Sequence, residues 1–275
     1  MRQITVEKIE NAVFDLLRDI CVNMPKDTEK MIEDAYKNEI SDYGKANLKM
    51  ALDNIKIARE NNMPICQDTG MVTVFAEIGQ EVHIVGGNFV DAINLAVKKA
   101  YVPFRKSVLS PIDRINTGDN TPAVIHTSLV EGDKIKLTVA PKGFGSENMS
   151  ALKMLKPSEG LEGIKNFVIE TVSKAGSNPC PPVIIGVGIG GTMEKAAIMS
   201  KHALAVSKNS DDLFLKDLEK ELLEKINDLG IGPQGLGGRC TCLNVYIETY
   251  PTHIAGLPVA VNVQCHCARH GEVII

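Results

Sequence analysis

Six short stretches dense in glycine, asparagine, aspartate, threonine and cysteine punctuate this chain: ICQDTG, RINTGDNTPA, PKGFGSEN, NPCPP, GVGIGGT and GPQGLGGRCTC. Such residues favour turns and left-handed backbone, and loops of this kind, anchored on regular elements, are where binding and catalysis reside. Residues 71–78, 82–85, 123–129, 134–140, 183–187, 243–248 and 257–263 read as strands. Residues 89–101, 148–155, 161–175, 192–206 and 211–228 read as helices. Strands 123–129 and 134–140, joined by a polar turn around Gly132, predict a hairpin. Upstream of the breaker Asn61-Asn62-Met63-Pro64 the pattern is helical: Val6, Ile9, Val13, Leu16, Leu17 and Ile20 recur at helical spacing, and helices follow over 25–38 and 43–60. The fold class is α/β, and the economical organisation is one mixed domain, 1–275. It has a helical N-terminal section to about residue 62 and a mixed α/β section from about 63 to 275.

The chain has 275 residues and a formal net charge of −4, with no basic footprint for nucleic acid or an acidic membrane. No apolar run approaches the roughly 18 residues of a membrane span, and the N-terminus lacks the apolar core of an export signal. A cytoplasmic protein is expected. Seven cysteines, an odd number in a reducing compartment, argue against a disulfide framework. They leave small buried residues, metal ligands or nucleophiles as the choices.

Three cysteines sit in polar, rigid contexts. Cys66 precedes Gln67-Asp68-Thr69-Gly70, Cys180 is enclosed by Pro179 and Pro181-Pro182, and Cys265 ends the last predicted strand. They are delivered by three distant loops, so no local metal knuckle exists, and spacing alone leaves buried thiol and ligand both open. Cys240 and Cys242, with Cys265 and Cys267, form C-x-C pairs that fit zinc poorly and strand packing well. Gly186, Gly188 and Gly191 match a dinucleotide fingerprint locally, but the acidic residue that should close a second strand is missing; the stretch could still bring backbone N–H groups to an anion or a cluster. PKGFGSEN reads equally as a carboxylate-binding helix start, with Ser146 as N-cap and Lys142 beside it, or as a tight turn. Among titratable residues, His126 reads as a core histidine, Asp119 as a turn-maker, and Asp113 stays open. His253, 12 residues before Cys265, could face the same site. Arg105, Arg114 and Arg269 flank these motifs.

Taken in order, CQDTG, NTGDNTPAVIH, KGFGSENMS, CPPVIIGVGIGG and LPVAVNVQCHCARH resemble the iron–sulfur (class I) fumarate hydratases and L(+)-tartrate dehydratases, above all their separate alpha subunit. The resemblance implies a [4Fe–4S] cluster held by loops through Cys66, Cys180 and Cys265, with the fourth iron open to substrate. It implies that Gln67 and Asp68 contact substrate, that Arg105 binds it, that Gly143 and Gly145 offer backbone donors to a carboxylate, and that His253 is an active-site histidine. Arg114 is a further cation for the substrate. Asp68 and His253 are the candidates for proton transfer, with the base unassigned. The implied reaction is reversible hydration of fumarate to L-malate or, alternatively, dehydration of L(+)-tartrate; a nucleotide-binding dehydrogenase and a zinc-binding module are the readings from other classes. The implied partners are a small dicarboxylate and a beta subunit, together a heterotetramer, with no nucleic acid and no membrane. Cys267 stands where the family commonly has alanine.

Overall fold

A computed structural model describes residues 1–275. The chain opens with β1 (Arg2–Thr5), α1 (Val6–Val22), α2 (Lys26–Asn38) and α3 (Asp42–Asn61). There follow β2 (Met71–Gly79), β3 (Val82–Val85), α4 (Phe89–Ala100), β4 (Val124–Val130), β5 (Ile135–Lys142), the single turn α5 (Phe144–Glu147) and β6 (Ala151–Leu155). The remainder is α6 (Gly160–Ala175), β7 (Val183–Gly190), α7 (Met193–Val206), α8 (Leu213–Asn227), β8 (Cys242–Tyr250), β9 (Leu257–Gln264) and β10 (Gly271–Ile274). The mixed α/β class is as expected. No helix is long and apolar enough to cross a membrane.

Contacts group these elements into two compact units, and the helical section is not a unit of its own. The first unit comprises residues 1–25, 56–144 and 269–275. Its four-stranded sheet has the order β10-β5-β2-β4, with a separate parallel pair β1–β3. Ile9, Val13, Leu17 and Ile20 of α1 and Ile93, Ala96, Val97 and Ala100 of α4 cover one face, where Val72, Val74, Leu137 and Val139 complete a core sealed from solvent. The predicted hairpin does not form. β2 lies between its two strands, parallel to β4 and antiparallel to β5. Burial is the reason: β2 is inaccessible along most of its length, whereas β4 exposes Val124, Thr127, Ser128 and Leu129. The more apolar strand takes the central place and the half-polar one the edge.

The second unit comprises residues 26–55 and 145–268, with sheet order β6-β9-β7-β8. β7 pairs parallel with β8 and antiparallel with β9. Val183, Ile185 and Val187 of β7 face α6 and α8 through Val168, Val172, Leu218, Leu222 and Ile226. The alternate face, with Ile184, packs on Ala203 and Leu204 of α7. Both faces are covered, so the strand reads as a continuous apolar run.

Two expectations change here. Residues 151–155 are a strand, not part of a helix: Ala, Leu, Lys and Met favour helix locally, but β9 captures their backbone from Ala151↔Val261 to Leu155↔Leu257. Most of GVGIGGT is the body of β7 rather than a loop. A Cβ on Gly186 would stand 2.1 Å from the Ser200 carbonyl oxygen, and one on Gly188 2.1 Å from that of Ala196. These two glycines let α7 lie against the strand; that, and not a dinucleotide, is their use. Gly186→Ala and Gly188→Ala are each expected to destabilise the fold by about 1–3 kcal/mol through overpacking. Gly256→Ala, where the nearest atom to the new Cβ is 3.9 Å away, should be close to neutral; urea titration of the three variants beside the wild type measures both outcomes.

Candidate functional site

In the first unit, residues 64–70 form the turn that enters β2. Gly70 holds φ +79°, and a side chain there would stand 2.9 Å from the backbone of Pro141 and Lys142, so only glycine fits. The turn is pinned along its main chain. The buried Tyr101 hydroxyl donates to the Thr69 carbonyl at 2.7 Å, and the Arg269 guanidinium donates to the Asp68 carbonyl at 2.7 Å. The Thr69 hydroxyl donates to the Arg105 carbonyl at 2.6 Å. Asn120, fully buried and left-handed at φ +66°, donates to the Gly70 carbonyl at 3.0 Å and accepts from the Ser107 N–H at 2.8 Å. Cys66 and Asp68 are half-buried and Gln67 is exposed.

The Asp68 carboxylate is oriented by main-chain donors at both oxygens. Gly70 N–H reaches Oδ1 at 3.0 Å and Phe144 N–H reaches Oδ2 at 2.8 Å. A Cβ on Gly143 would stand 3.1 Å from Oδ2, so Gly143 and Asp68 are brought together and the glycine keeps that approach open. Arg105 is tied to the same turn through its carbonyl, with its side chain exposed. Arg114 is exposed at φ +60°, at the tip of an excursion closed by the Leu109↔Asn116 bridge. Arg269, a flanking cation in the sequence, is 2% exposed and serves the backbone instead. Asp119 is a turn-maker as expected, accepting from the Thr121 N–H and hydroxyl at 3.1 and 2.6 Å. His126 is half-buried and stacks on Phe75 with ring centroids 4.9 Å apart.

In the second unit, Cys180 and Cys265 come to one end of the sheet. Ile184 pairs with Gln264, so the residues preceding β7 lie beside those following β9. His266 confirms the proximity: its Nδ1 donates to the Cys180 carbonyl at 3.0 Å. Cys180 is exposed and holds φ +54°, a conformation that costs an L-residue roughly 1–2 kcal/mol. Such strain persists only where the surroundings impose it and gathers at functional positions. Gly145 lies in this unit, with a notional Cβ 4.0 Å from the Asn178 carbonyl of the same turn. Ser146 is no N-cap. It is buried inside the single turn α5, because the backbone leaves helical geometry after Glu147.

His253 does not face Cys265. It is exposed in the β8–β9 loop, where its Nδ1 accepts from the Ala255 N–H at 3.2 Å. The eight residues of β9 separate that loop from Cys265 by roughly 25 Å. A separation of 12 in sequence means opposite ends here because the intervening residues are extended.

The other cysteines behave as thiols. Cys242 donates to the Asn244 carbonyl at 3.1 Å and Cys240 to that of Cys242 at 3.7 Å. Burial, then the nearby Glu39 charge, pushes the Cys240 thiol up to about 12, and burial raises Cys242 further. Cys21 lies beneath the Cys66 turn, raised by burial against the pull of Arg269. Sequence reasoning missed Tyr101 and Asn120. The sole signal for either was Asn120 inside NTGDNTP, a polar residue that had to be a turn or a buried tie.

No three His, Cys, Asp or Glu side chains gather around one point as the ligands of a single ion do. An iron–sulfur cluster makes a different demand, because its thiolates bind different irons. The donor chemistry suits a cluster: Cys66, Cys180 and Cys265 are outside any disulfide and reach solvent, and the turns of Cys66 and Cys180 are pinned through their main chains.

A family model described as fumarate hydratase (fumerase) matches residues 10–274. A chain of Methanocaldococcus jannaschii, provisionally named L(+)-tartrate dehydratase subunit alpha, is 45% identical over 272 residues, covering 95% of each chain. The L(+)-tartrate dehydratase subunit alpha of Escherichia coli K12 is 33% identical over 282 residues, covering 100% of this chain and 93% of that one.

Thiol reactivity should follow this geometry. Only about one Cys240 thiol in 10⁴ is ionised at pH 8 given a pKa of about 12. Iodoacetamide is therefore expected to label Cys180 in the cluster-free chain well before Cys240 or Cys242, as read by peptide mass spectrometry. Labelling of Cys240 at an equal rate would show that its thiol is not held as described.

Proposed function

The chain belongs to the fumarate hydratase family, and from that premise we propose that it is the cluster-bearing alpha subunit of an iron–sulfur hydro-lyase. Reversible hydration of fumarate to L-malate in the cytoplasm is the first reading. Dehydration of L(+)-tartrate is the second, favoured by the names of the M. jannaschii and E. coli relatives. The observation that carries the proposal is Asp68 two residues from Cys66, its carboxylate aimed by two main-chain donors.

In this reading Cys66, Cys180 and Cys265 hold a [4Fe–4S] cluster. When bound, a cluster with three thiolate ligands has one iron with an open coordination position, a Lewis acid toward the substrate hydroxyl. The chain's own residues supply the rest. Asp68 holds or moves the proton on the carbon next to the leaving hydroxyl, and its fixed orientation keeps that transfer from requiring rearrangement. Gln67 and Arg105 bind one carboxylate of the dicarboxylate, with Gly143 and Gly145 lending backbone donors and Arg114 a further positive charge. Phe144's N–H is already taken by Asp68, so the loop both orients the acid–base group and approaches the substrate. A beta subunit supplies the cations for the other carboxylate, and the two assemble as a heterotetramer; the relatives' designation as alpha subunits supports the beta partner. His253 enters on the resemblance alone, and its distance from Cys265 means that a shared site would have to take it from a second copy.

The protein prepared anaerobically with its beta partner is expected to hold about four irons per alpha chain with matching sulfide, and to turn over fumarate, tartrate or both. Serine at Cys66, Cys180 or Cys265 should each lower iron content, while Cys21→Ser should not. Asp68→Asn should keep its iron and lose about 10²–10⁴-fold in turnover per cluster; unchanged turnover per cluster would remove Asp68 from the mechanism. An equal loss in His253→Asn, at unchanged iron, would place His253 in the mechanism as well.

A further inference from the structure

The glycine-rich stretch 231–241 has no part in the chemistry above, yet it is the densest run of left-handed backbone in the chain. Gly232, Gln234, Gly235, Gly237 and Gly238 all have positive φ. Gln234, at +57°, is the one that is not glycine. Glycine would hold that conformation without strain, so the side chain of Gln234 must do something that offsets it.

Its contacts say what. The Gln234 main-chain N–H donates to the Pro181 carbonyl at 2.8 Å, and its side-chain Nε2 donates to the same oxygen at 3.0 Å. Nε2 also lies 3.4 Å from the Nδ1 of His266, the group that donates to the Cys180 carbonyl. On the other side of the cysteine, a Cβ on Gly235 would stand 2.3 Å from Ser177 Cβ, and the Ser177 carbonyl accepts the Cys180 N–H at 3.1 Å. The loop therefore presses on the Ser177–Pro181 turn before and after Cys180.

The loop is itself fixed at its far end by Glu39, a carboxylate only 2% exposed. It accepts from the N–H groups of Arg239 and Cys240 at 2.9 Å, and from those of Ile40 and Ser41 at 2.8 and 3.0 Å. Burial opposes its charge, but the N–H groups of Ser41, Arg239, Cys240 and Ile40 outweigh it and hold the carboxyl below its usual range. Gly238, φ +126°, leaves room for it: a Cβ there would be 2.9 Å from Glu39 Oε1.

We propose that Gln234 is the positioning residue for Cys180, and that Glu39 anchors the loop that carries it. The inference deepens the reading of Cys180 as a cluster ligand and rests on it for its functional meaning. The geometric claim is testable without the cluster.

Hydrogen exchange of the full chain, prepared cluster-free, reads the turn directly. Gln234→Gly keeps the backbone conformation and the main-chain donor while removing Nε2. It is expected to speed exchange of the Cys180 amide about tenfold, with β7 and β9 unchanged and Tm little altered. Gln234→Glu, which keeps the side chain's size but sets an oxygen against the Pro181 carbonyl, should show the same local loss, and Glu39→Gln a smaller one. Reconstituted with the beta partner, Gln234→Gly should hold at least threefold less iron than wild type and broaden the reduced-cluster EPR signal. Unchanged exchange at Cys180, or a uniform loss of protection with a fall in Tm, would overturn the positioning role. Wild-type protein without iron would instead refute the cluster assignment and leave the exchange result to decide the geometry.

Discussion

The closeness of α7 to β7 is the contact from which the second unit is built. Carbonyl oxygens of Ala196 and Ser200 occupy the places where side chains of Gly188 and Gly186 would begin. With α7 seated there and α6 and α8 on the opposite face, β7 is shielded on both sides. It can then act as the central rail against which β8 runs parallel and β9 antiparallel. The antiparallel pairing returns the end of β9 to the beginning of β7, which brings Cys265 to Cys180. The 85 residues between these two cysteines are thus closed by packing between a helix and a strand, through Gly186 and Gly188.

A second regularity concerns how the turns are held. Both turns are held through their main chains. The Cys66–Gly70 turn is pinned through its carbonyls by Tyr101, Arg269 and Asn120. The Cys180 turn is pinned through its carbonyls by His266 and Gln234. Donors directed at main-chain oxygens constrain φ and ψ without engaging the thiols of Cys66 and Cys180. Buried polar groups of this kind must be satisfied, so each tie is also a reason for the turn to stay in one conformation. The surface pairs, such as Lys30–Asp34 and Lys174–Glu170, are exposed and contribute little.

GVGIGGT resembled a phosphate-binding loop because G-x-G-x-x-G records where side chains are missing, not why. The strand–helix packing that needs their absence cannot be seen locally. The hairpin over 123–140 failed for a related reason. Two adjacent strands with a polar turn satisfy every local rule, but β2 is more apolar and displaces one of them from its neighbour's edge. Residues 151–155 have helical propensity, and a free edge of β9 outweighed it.

The sequence alone determined the turns, the long periodic helices α1, α4, α6 and α8, and the three cysteines in rigid polar loops. It could do so because Gly, Pro, Asn and apolar periodicity act on their own few residues. The resemblance carried by its motifs added the family. Only the tertiary structure decided which strands are neighbours, that Arg269 is a buried tie, that Gln234 backs Cys180, and that His253 stands at the other end of β9 from Cys265. Those outcomes depend on competition among distant segments for burial and for hydrogen-bonding edges, and no window along the chain contains both competitors.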